Sequence, residues 1–231
     1  MNAQEEQIYL DMIESEKYAL KFRTFYDLLC FYNEKFNLTR ITDEKESRIK
    51  HFYDSICAEK HFKHGAKIAE IGSGAGFPSI PLKIVRDDLS FTLIESVGKK
   101  CIFLREVIKE LSLSNVDVIN IRAEEGGKDS ALREKFDVCC ARAVARLNTL
   151  SEYCVPFVKK GGCFIAYKGD AKEEIIEAEN AFAVLGVKTI AVDEYELPFQ
   201  MGKRTLIVAE KFKHTDGAFP RGNGNERRKP L

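Results

Sequence analysis

Apolar residues recur at intervals of three and four through the first sixty positions and then give way to short, dense runs. In YALKFRTFYDLLCFYNEKFN, residues Phe22, Phe25, Tyr26, Leu29, Tyr32 and Phe36 make one stripe, and in ESRIKHFYDSICAEKHF, residues Ile49, Phe52, Tyr53, Ile56 and Cys57 make another. Both are the signature of an amphipathic helix. From residue 66 onward the runs AKIAEIG, FTLIES, VDVINI, FDVCCA, GGCFIAYKG, VKTIAVDEY and RTLIVAEKF read as strands, with helical patterns between most of them. Such alternation predicts an α/β architecture, a parallel sheet wrapped by helices. The last two strands, around 187–193 and 203–210, are separated only by PFQMGKRT. That link is too short for a parallel crossover, so these strands are predicted to pair antiparallel. Three parts follow: a helical extension over 1–63, an α/β domain over 64–212 and a tail over 213–231.

A seven-stranded sheet closed by an antiparallel hairpin departs from the symmetric six-stranded dinucleotide fold and matches the Rossmann-like sheet of class I S-adenosylmethionine-dependent methyltransferases. The segment Glu70-Ile71-Gly72-Ser73-Gly74-Ala75-Gly76-Phe77-Pro78 directly follows the first strand and precedes a helix. This is where a nucleotide-binding glycine loop belongs. Its spacing is G-x-G-x-G rather than the G-x-G-x-x-G that seats a pyrophosphate. With Pro78 and Pro81 delaying the helix, Gly72, Gly74 and Gly76 suit a bulky ligand that carries no phosphate. Glu95 ends the second strand 19 residues beyond Gly76, where a carboxylate can accept both ribose hydroxyls of an adenosine. Ser96 is placed to cap the next helix. Glu124, in the Arg122-Ala123-Glu124 turn after the third strand, is a candidate adenine contact or a partner of Arg122.

Charge adds a polarity that the total conceals. The 231 residues hold 36 Lys plus Arg and 36 Asp plus Glu, which excludes a strongly basic nucleic-acid coat protein. Yet residues 1–16 carry five acids and no Lys or Arg, whereas residues 211–231 carry a net +4. The tail HTDGAFPRGNGNERRKPL shows no helical or strand period, and its Arg227, Arg228 and Lys229 are of the kind that phosphate backbones attract. The seven cysteines include no C-x-x-C and sit mostly in apolar runs, which points to buried thiols in a reducing cytoplasm. The four histidines lack metal-ligand spacing, so no metal is expected. No apolar run reaches the ~18–20 residues of a membrane span, and the acidic start is unlike a signal peptide.

The fourth strand opens into Arg142-Ala143-Val144-Ala145-Arg146, at the edge that faces the methyl group in this class. It has neither an Asn/Asp-Pro-Pro-aromatic loop for exocyclic amines nor a Cys nucleophile for base carbon, since Cys140 reads as core. An acceptor that is already nucleophilic, such as guanine N7, suits it better.

The blocks NLTRI, HFYDS, AEIGSGAGFPSIPLKI, KKCIFL, RAE, ARAVARLNTLSEYCVPFVKKGG, YKG and the RKPL terminus, in matching order from about residue 18 to the end, resemble the bacterial 16S ribosomal RNA guanine-N7 methyltransferase family, RsmG or GidB. The resemblance implies a methyltransferase domain with an N-terminal helical extension, S-adenosylmethionine as methyl donor, and a 16S rRNA guanine of the small ribosomal subunit as acceptor. It carries cofactor contacts onto Gly72, Phe77, Glu95, Ser96, Val97, Ala123, Glu124 and Arg142. Glu70 stands where the family more often has Asp, and GNGNE before RRKPL departs from the family's tail. His51, Asp54 and Ser55 share a helix face away from the apolar stripe. Alone that face reads as a solvated surface; the resemblance turns it toward a face bordering the active-site cleft.

The expected chemistry is in-line displacement with no general base, resting on positioning and electrostatics. Arg142, Arg146, Lys168 and His51 are the candidate guanine-side or phosphate-side groups, with Phe77 or Tyr167 as an aromatic wall. A cytoplasmic monomer is expected. Rival readings are a methyltransferase of a protein or small molecule, an NAD-linked oxidoreductase, and a non-catalytic RNA-binding module.

Overall fold

The computed structural model describes residues 3–231, the side chains of 3 and 4 excepted, so residues 1 and 2 of the expected extension lie outside the described residues. Helix α1 (Ala3–Glu14) and α2 (Ala19–Phe36) come first, and α2 ends where Asn37 turns left-handed and returns its N–H to the Asn33 carbonyl. A continuous helical stretch follows: α3 (Glu44–Ser47), capped by the Asp43 carboxylate on Glu46 N, a wide π-helical turn over Arg48–Tyr53, and α4 (Asp54–Ile56). The α/β part then runs β1 (Lys67–Ile71), α5 (Ser79–Val85), β2 (Ser90–Glu95), α6 (Gly98–Glu110), β3 (Val116–Asn120), α7 (Ala123–Gly126), β4 (Phe136–Arg142), α8 (Leu147–Cys154), β5 (Val158–Lys168), α9 (Lys172–Glu177), α10 (Glu179–Leu185), β6 (Val187–Glu196) and β7 (Lys203–Lys211).

The seven strands form one sheet in the order β3-β2-β1-β4-β5-β7-β6. Pairs from β3 to β5 are parallel; β7 runs antiparallel to both β5 and β6. The hairpin therefore forms as its short link requires. The chain leaves β1 toward β2 on one side and returns through β4 on the other, so a crevice opens beyond the carboxyl ends of β1 and β4. This is the switch point where open α/β sheets bind ligands, and the glycine loop stands at it.

Alternation along each strand sorts side chains to two faces. Ile68, Cys140, Ile165 and Tyr167 pack on one face in a core shared with Phe22, Phe25 and Leu29 of α2 and with Phe52 and Tyr53. Ala69, Cys139, Phe164 and Ala166 face the other, under α8 and α10. The N-terminal helices thus share a hydrophobic core with the sheet. All seven cysteines are free thiols, five of them buried. Among the described residues, no helix is long and apolar enough to cross a membrane, and no three His, Cys, Asp or Glu side chains group as a metal site.

One expectation stands and one fails, each for a physical reason. The face holding His51, Asp54 and Ser55 is turned inward, as the resemblance implies, and is not a solvated surface: these residues are 6%, 2% and 0% exposed. The helical stretch is clamped on both sides, by α2 on its apolar stripe and by the sheet edge on the polar one, where the Tyr167 hydroxyl donates to the Ser55 carbonyl (3.1 Å). The C-terminal tail, in turn, is folded rather than patternless. It ends in α11 (Asn225–Arg228) and packs Phe219 and Leu231 against the second core face. Its order comes from charged anchors that hydrophobic periodicity does not register.

Candidate functional site

The glycine loop is built by left-handed turns. Gly72, Gly74 and Gly76 have φ of 67°, 55° and 84°, values that cost a side-chain-bearing residue roughly 1–2 kcal/mol. Gly72 is also needed for space, because a Cβ there would stand 2.8 Å from Val144 Cγ2. Gly76 also serves packing, because a Cβ there would stand 2.6 Å from Ile80 Cγ1 and 3.2 Å from Leu104 Cδ2. Glu95, 4% exposed, holds the loop in register: Oε2 accepts from Gly74 N (2.9 Å) and Oε1 from Val97 N (2.8 Å). A carboxylate has capacity for more than these two bonds, but the ribose-accepting role expected of Glu95 is here replaced by support of the loop.

Beyond these strand ends lies a cavity of about 760 Å³, within the size range of small-molecule sites. Gly72, Ser96, Ala123 and Glu124 line it, as do Val144, Tyr153 and the tail residues Arg221 to Gly224 and Arg227. Gly74, Gly76, Phe77, Glu95, Val97 and Arg142 do not reach its wall; they support it or lie behind it.

A second cavity, of about 310 Å³, opens on the other side of the β4 terminus between Lys50, His51, Asp54, Arg142, Tyr167, Lys168 and Arg204. The Asp54 carboxylate organises it. Oδ2 accepts from Arg142 Nη1 and Arg204 Nε, both at 3.2 Å, and Oδ1 accepts from the Tyr195 hydroxyl at 3.2 Å. Arg142 donates further to the Lys50 carbonyl (3.0 Å) and to His51 Nδ1 (3.1 Å). Because a guanidinium can only donate, His51 Nδ1 carries the lone pair and Nε2–H donates to Thr39 Oγ1 (3.0 Å). Burial and the adjacent Arg142 push the His51 pKa down to about 3, so the ring is neutral at pH 7. The imidazole stacks on Phe77 (4.3 Å, 17°), which also lies 4.9 Å beneath the Arg142 guanidinium. Phe77 is thus an interior layer of this stack, 6% exposed, and not an open wall.

Two other sequence-chosen cations are already engaged. Lys168 Nζ donates to the Ala145 carbonyl (2.5 Å) and to Glu174 (2.7 Å), fixing the loop after β4 while still lining the second cavity. Arg146 turns outward into a two-pronged pair with Glu177 (2.9 and 2.7 Å). Arg204 and Tyr195 escaped the sequence reading. Their only signal was the β5–β7 register, Lys168 opposite Thr205, which brings the hairpin beside the β4 edge.

Glu70, fully buried at the head of the loop, has no hydrogen-bond partner for either carboxylate oxygen. Burial raises its pKa to about 8 against weaker downward pulls from Ser79 and Arg142. Glu70 lies at the root of the glycine loop but lines neither cavity, so its carboxyl stays inside the protein. The folded pKa lies above the unfolded one, so Glu70 favours folding at low pH and loses that contribution as pH rises from about 4.5 to about 8. Wild-type stability should therefore fall relative to Glu70→Gln across that interval. Urea midpoints at pH 5 and pH 8 test this; a constant difference would show that Glu70 stays charged.

A family model described as rRNA small subunit methyltransferase G matches residues 19–205. The chain is 45% identical over 226 residues to the ribosomal RNA small subunit methyltransferase G of Lactobacillus helveticus, covering 96% of this chain and 94% of that one. It is 46% identical over 214 residues to the protein of the same name from Brevibacillus brevis, covering 91% and 90%. Among solved structures, a SAM dependent methyltransferase from Aquifex aeolicus superposes with a TM-score of 0.55 at 18% identity, covering 75% of this chain and 96% of that one. M. jannaschii TYW2 in complex with AdoMet superposes at 0.53 and 19% identity, covering 70% and 76%. These two likenesses show a shared fold.

Proposed function

We propose, from the premise that this chain belongs to the rRNA small subunit methyltransferase G family, that it methylates N7 of a guanine in 16S rRNA. It is an S-adenosylmethionine-dependent rRNA methyltransferase on the class I methyltransferase fold. The N7 position, the monomeric state and a cytoplasmic location are part of the proposal.

The observation that carries the reading is the meeting of two cavities at one short stretch of backbone. Val144 lines the larger cavity, while Arg142 and Ala143 line the smaller. Ala143 makes the turn between them at φ 58°, a conformation that a residue with a side chain seldom adopts and that clusters at functional sites. A group transfer needs donor and acceptor compartments close together, and neighbouring residues of one loop line both of these.

In the larger cavity, Gly72 admits the ligand against backbone, Ser96, Ala123 and Glu124 border the nucleoside, and Glu95 behind the wall holds the loop that shapes it. When bound there, S-adenosylmethionine supplies an electrophilic methyl group on a sulfonium. The smaller cavity is lined by Arg142 and Arg204, which share Asp54, and by Lys50 and Lys168, paired with Glu46 and Glu174. The N–H groups that the two guanidinium forks do not spend on these partners suit guanine O6 or the phosphates beside it. Guanine N7 has a free in-plane lone pair and needs no proton removed, and the neutral His51 is accordingly held as a fixed spacer between Thr39 and Arg142. Catalysis then rests on holding the base and on preorganised charge. An extruded, unstacked guanine is required to enter.

The test is methylation of rRNA from cells lacking the enzyme, using radiolabelled S-adenosylmethionine, nucleoside mass spectrometry and position mapping. N7-methylguanosine at one small-subunit position is expected. Label on protein or small molecules, or on another base atom, would overturn the assignment.

A further inference from the structure

The basic tail does not hang free for RNA; it is packed onto the cofactor side of the molecule. Arg221 is locked to Glu152, a carboxylate with no exposure, through its own N–H (2.8 Å), Nε (2.9 Å) and Nη2 (2.7 Å). The buried Glu226 carboxylate takes the Gly222 N–H, and the Glu226 carbonyl accepts from Thr149 Oγ1 (2.9 Å). Arg133 gathers the carbonyls of Gly127, Thr215, Asp216 and Phe219. Between these anchors Gly222, Asn223 and Gly224 are left-handed in succession (φ 76°, 57° and 73°). The resulting curl lays 222–224 along the larger cavity, with Arg227 beside it.

We propose that segment 221–227 is a wall of the cofactor cavity, closing its nucleoside side, and that Arg227 contacts the bound adenosine. The inference rests on the reading of this cavity as the S-adenosylmethionine site. Ser96, Ala123 and Glu124, just past the ends of β2 and β3, line the same cavity, where sheets of this type hold the nucleoside. The tail packs beside them, with Pro220 against Gly127 and Gly222 near Lys128, so it meets the same part of the ligand. Arg221 is consumed by Glu152, and Arg228 donates to Asn223 O and Asn225 Oδ1 within its own turn. Arg227 instead lines the cavity beside Tyr153, whose pKa burial raises and Arg227 partly restrains. A guanidinium there can stack on adenine or donate to its ring nitrogens.

Two variants test the wall without touching its anchors. Arg227→Ala removes the guanidinium from an exposed residue. Gly224→Asn adds a side chain where a Cβ meets no protein atom within 4 Å, in a backbone conformation that Asn tolerates. The probes are S-adenosylmethionine and S-adenosylhomocysteine, which share the nucleoside, titrated by calorimetry. Each variant should lose about tenfold in affinity for both probes, with an unchanged thermal midpoint and an unchanged salt slope of RNA binding. Wild-type affinity for both probes in both variants would overturn the proposal. So would an Arg227→Ala protein with normal cofactor affinity and a flatter salt slope, which assigns the tail to RNA. If the wild type binds neither probe, the cofactor reading itself fails and takes the inference with it.

Discussion

Arg142→Ala is expected to slow methylation about a thousandfold, the upper range for loss of one preorganised donor in a catalytic site. The guanidinium ties three elements together: Lys50 O and His51 Nδ1 in the helical stretch, Asp54 Oδ2 at its end, and its own strand β4. It also lines the smaller cavity, close to Val144 of the larger one. Without it, Asp54 keeps Arg204 and Tyr195 as partners, so the carboxylate is not orphaned and the fold should survive. His51 Nδ1, however, loses its donor, and the acceptor cavity loses a planar fork. Arg142→Lys keeps the charge but not the fork and should recover little of the rate. Single-turnover methylation of small-subunit rRNA, run beside cofactor calorimetry on the same protein, makes the measurement. A rate within tenfold of wild type would remove Arg142 from the acceptor site, and a matching loss of cofactor affinity would move it to the donor side.

The second large effect is on stability. Arg221→Ala should lower the free energy of unfolding by about 3 kcal/mol, because one partner of a buried pair is removed and the other is left charged in the interior. Glu152 has no exposure, and the Arg221 side chain is 26% exposed. Only the residue-221 amide would remain to serve the carboxylate. Adding Glu152→Leu to Arg221→Ala removes the stranded charge and should restore most of the loss, since isosteric apolar replacement of buried pairs is often neutral. Urea denaturation of the single and double variants decides the matter. A loss under about 1 kcal/mol, typical of surface pairs, would mean that the tail is only lightly held.

The family resemblance and the sheet were both legible in the chain because they rest on local signals. Each of the seven strand runs is a strand, and the short link before β7, six residues from Leu197 to Gly202, could only make a hairpin. The glycine loop lands at the switch point because it follows β1 directly. Glu95 was found as a carboxylate at a strand end, although its bonds to Gly74 N and Val97 N show it supporting the loop. Lys168, Arg146 and the tail arginines were chosen for their charge near a motif, and here the sequence was weakest. Lys168 is engaged by Glu174 and Arg146 by Glu177, from a helix whose docking angle no periodicity reveals.

Sequence by itself determined the strands, their directions and the glycine loop at the switch point, since φ preferences, side-chain period and link length act over a few residues. Only the tertiary structure decided which charges meet. Arg142 finds Asp54 across 88 positions, Arg204 finds the same carboxylate across 150, and Arg221 finds Glu152 across 69. A long flexible cation takes whichever carboxylate the packing of apolar faces brings within about 3 Å, because an unpaired charge in the interior costs more than any local preference can return.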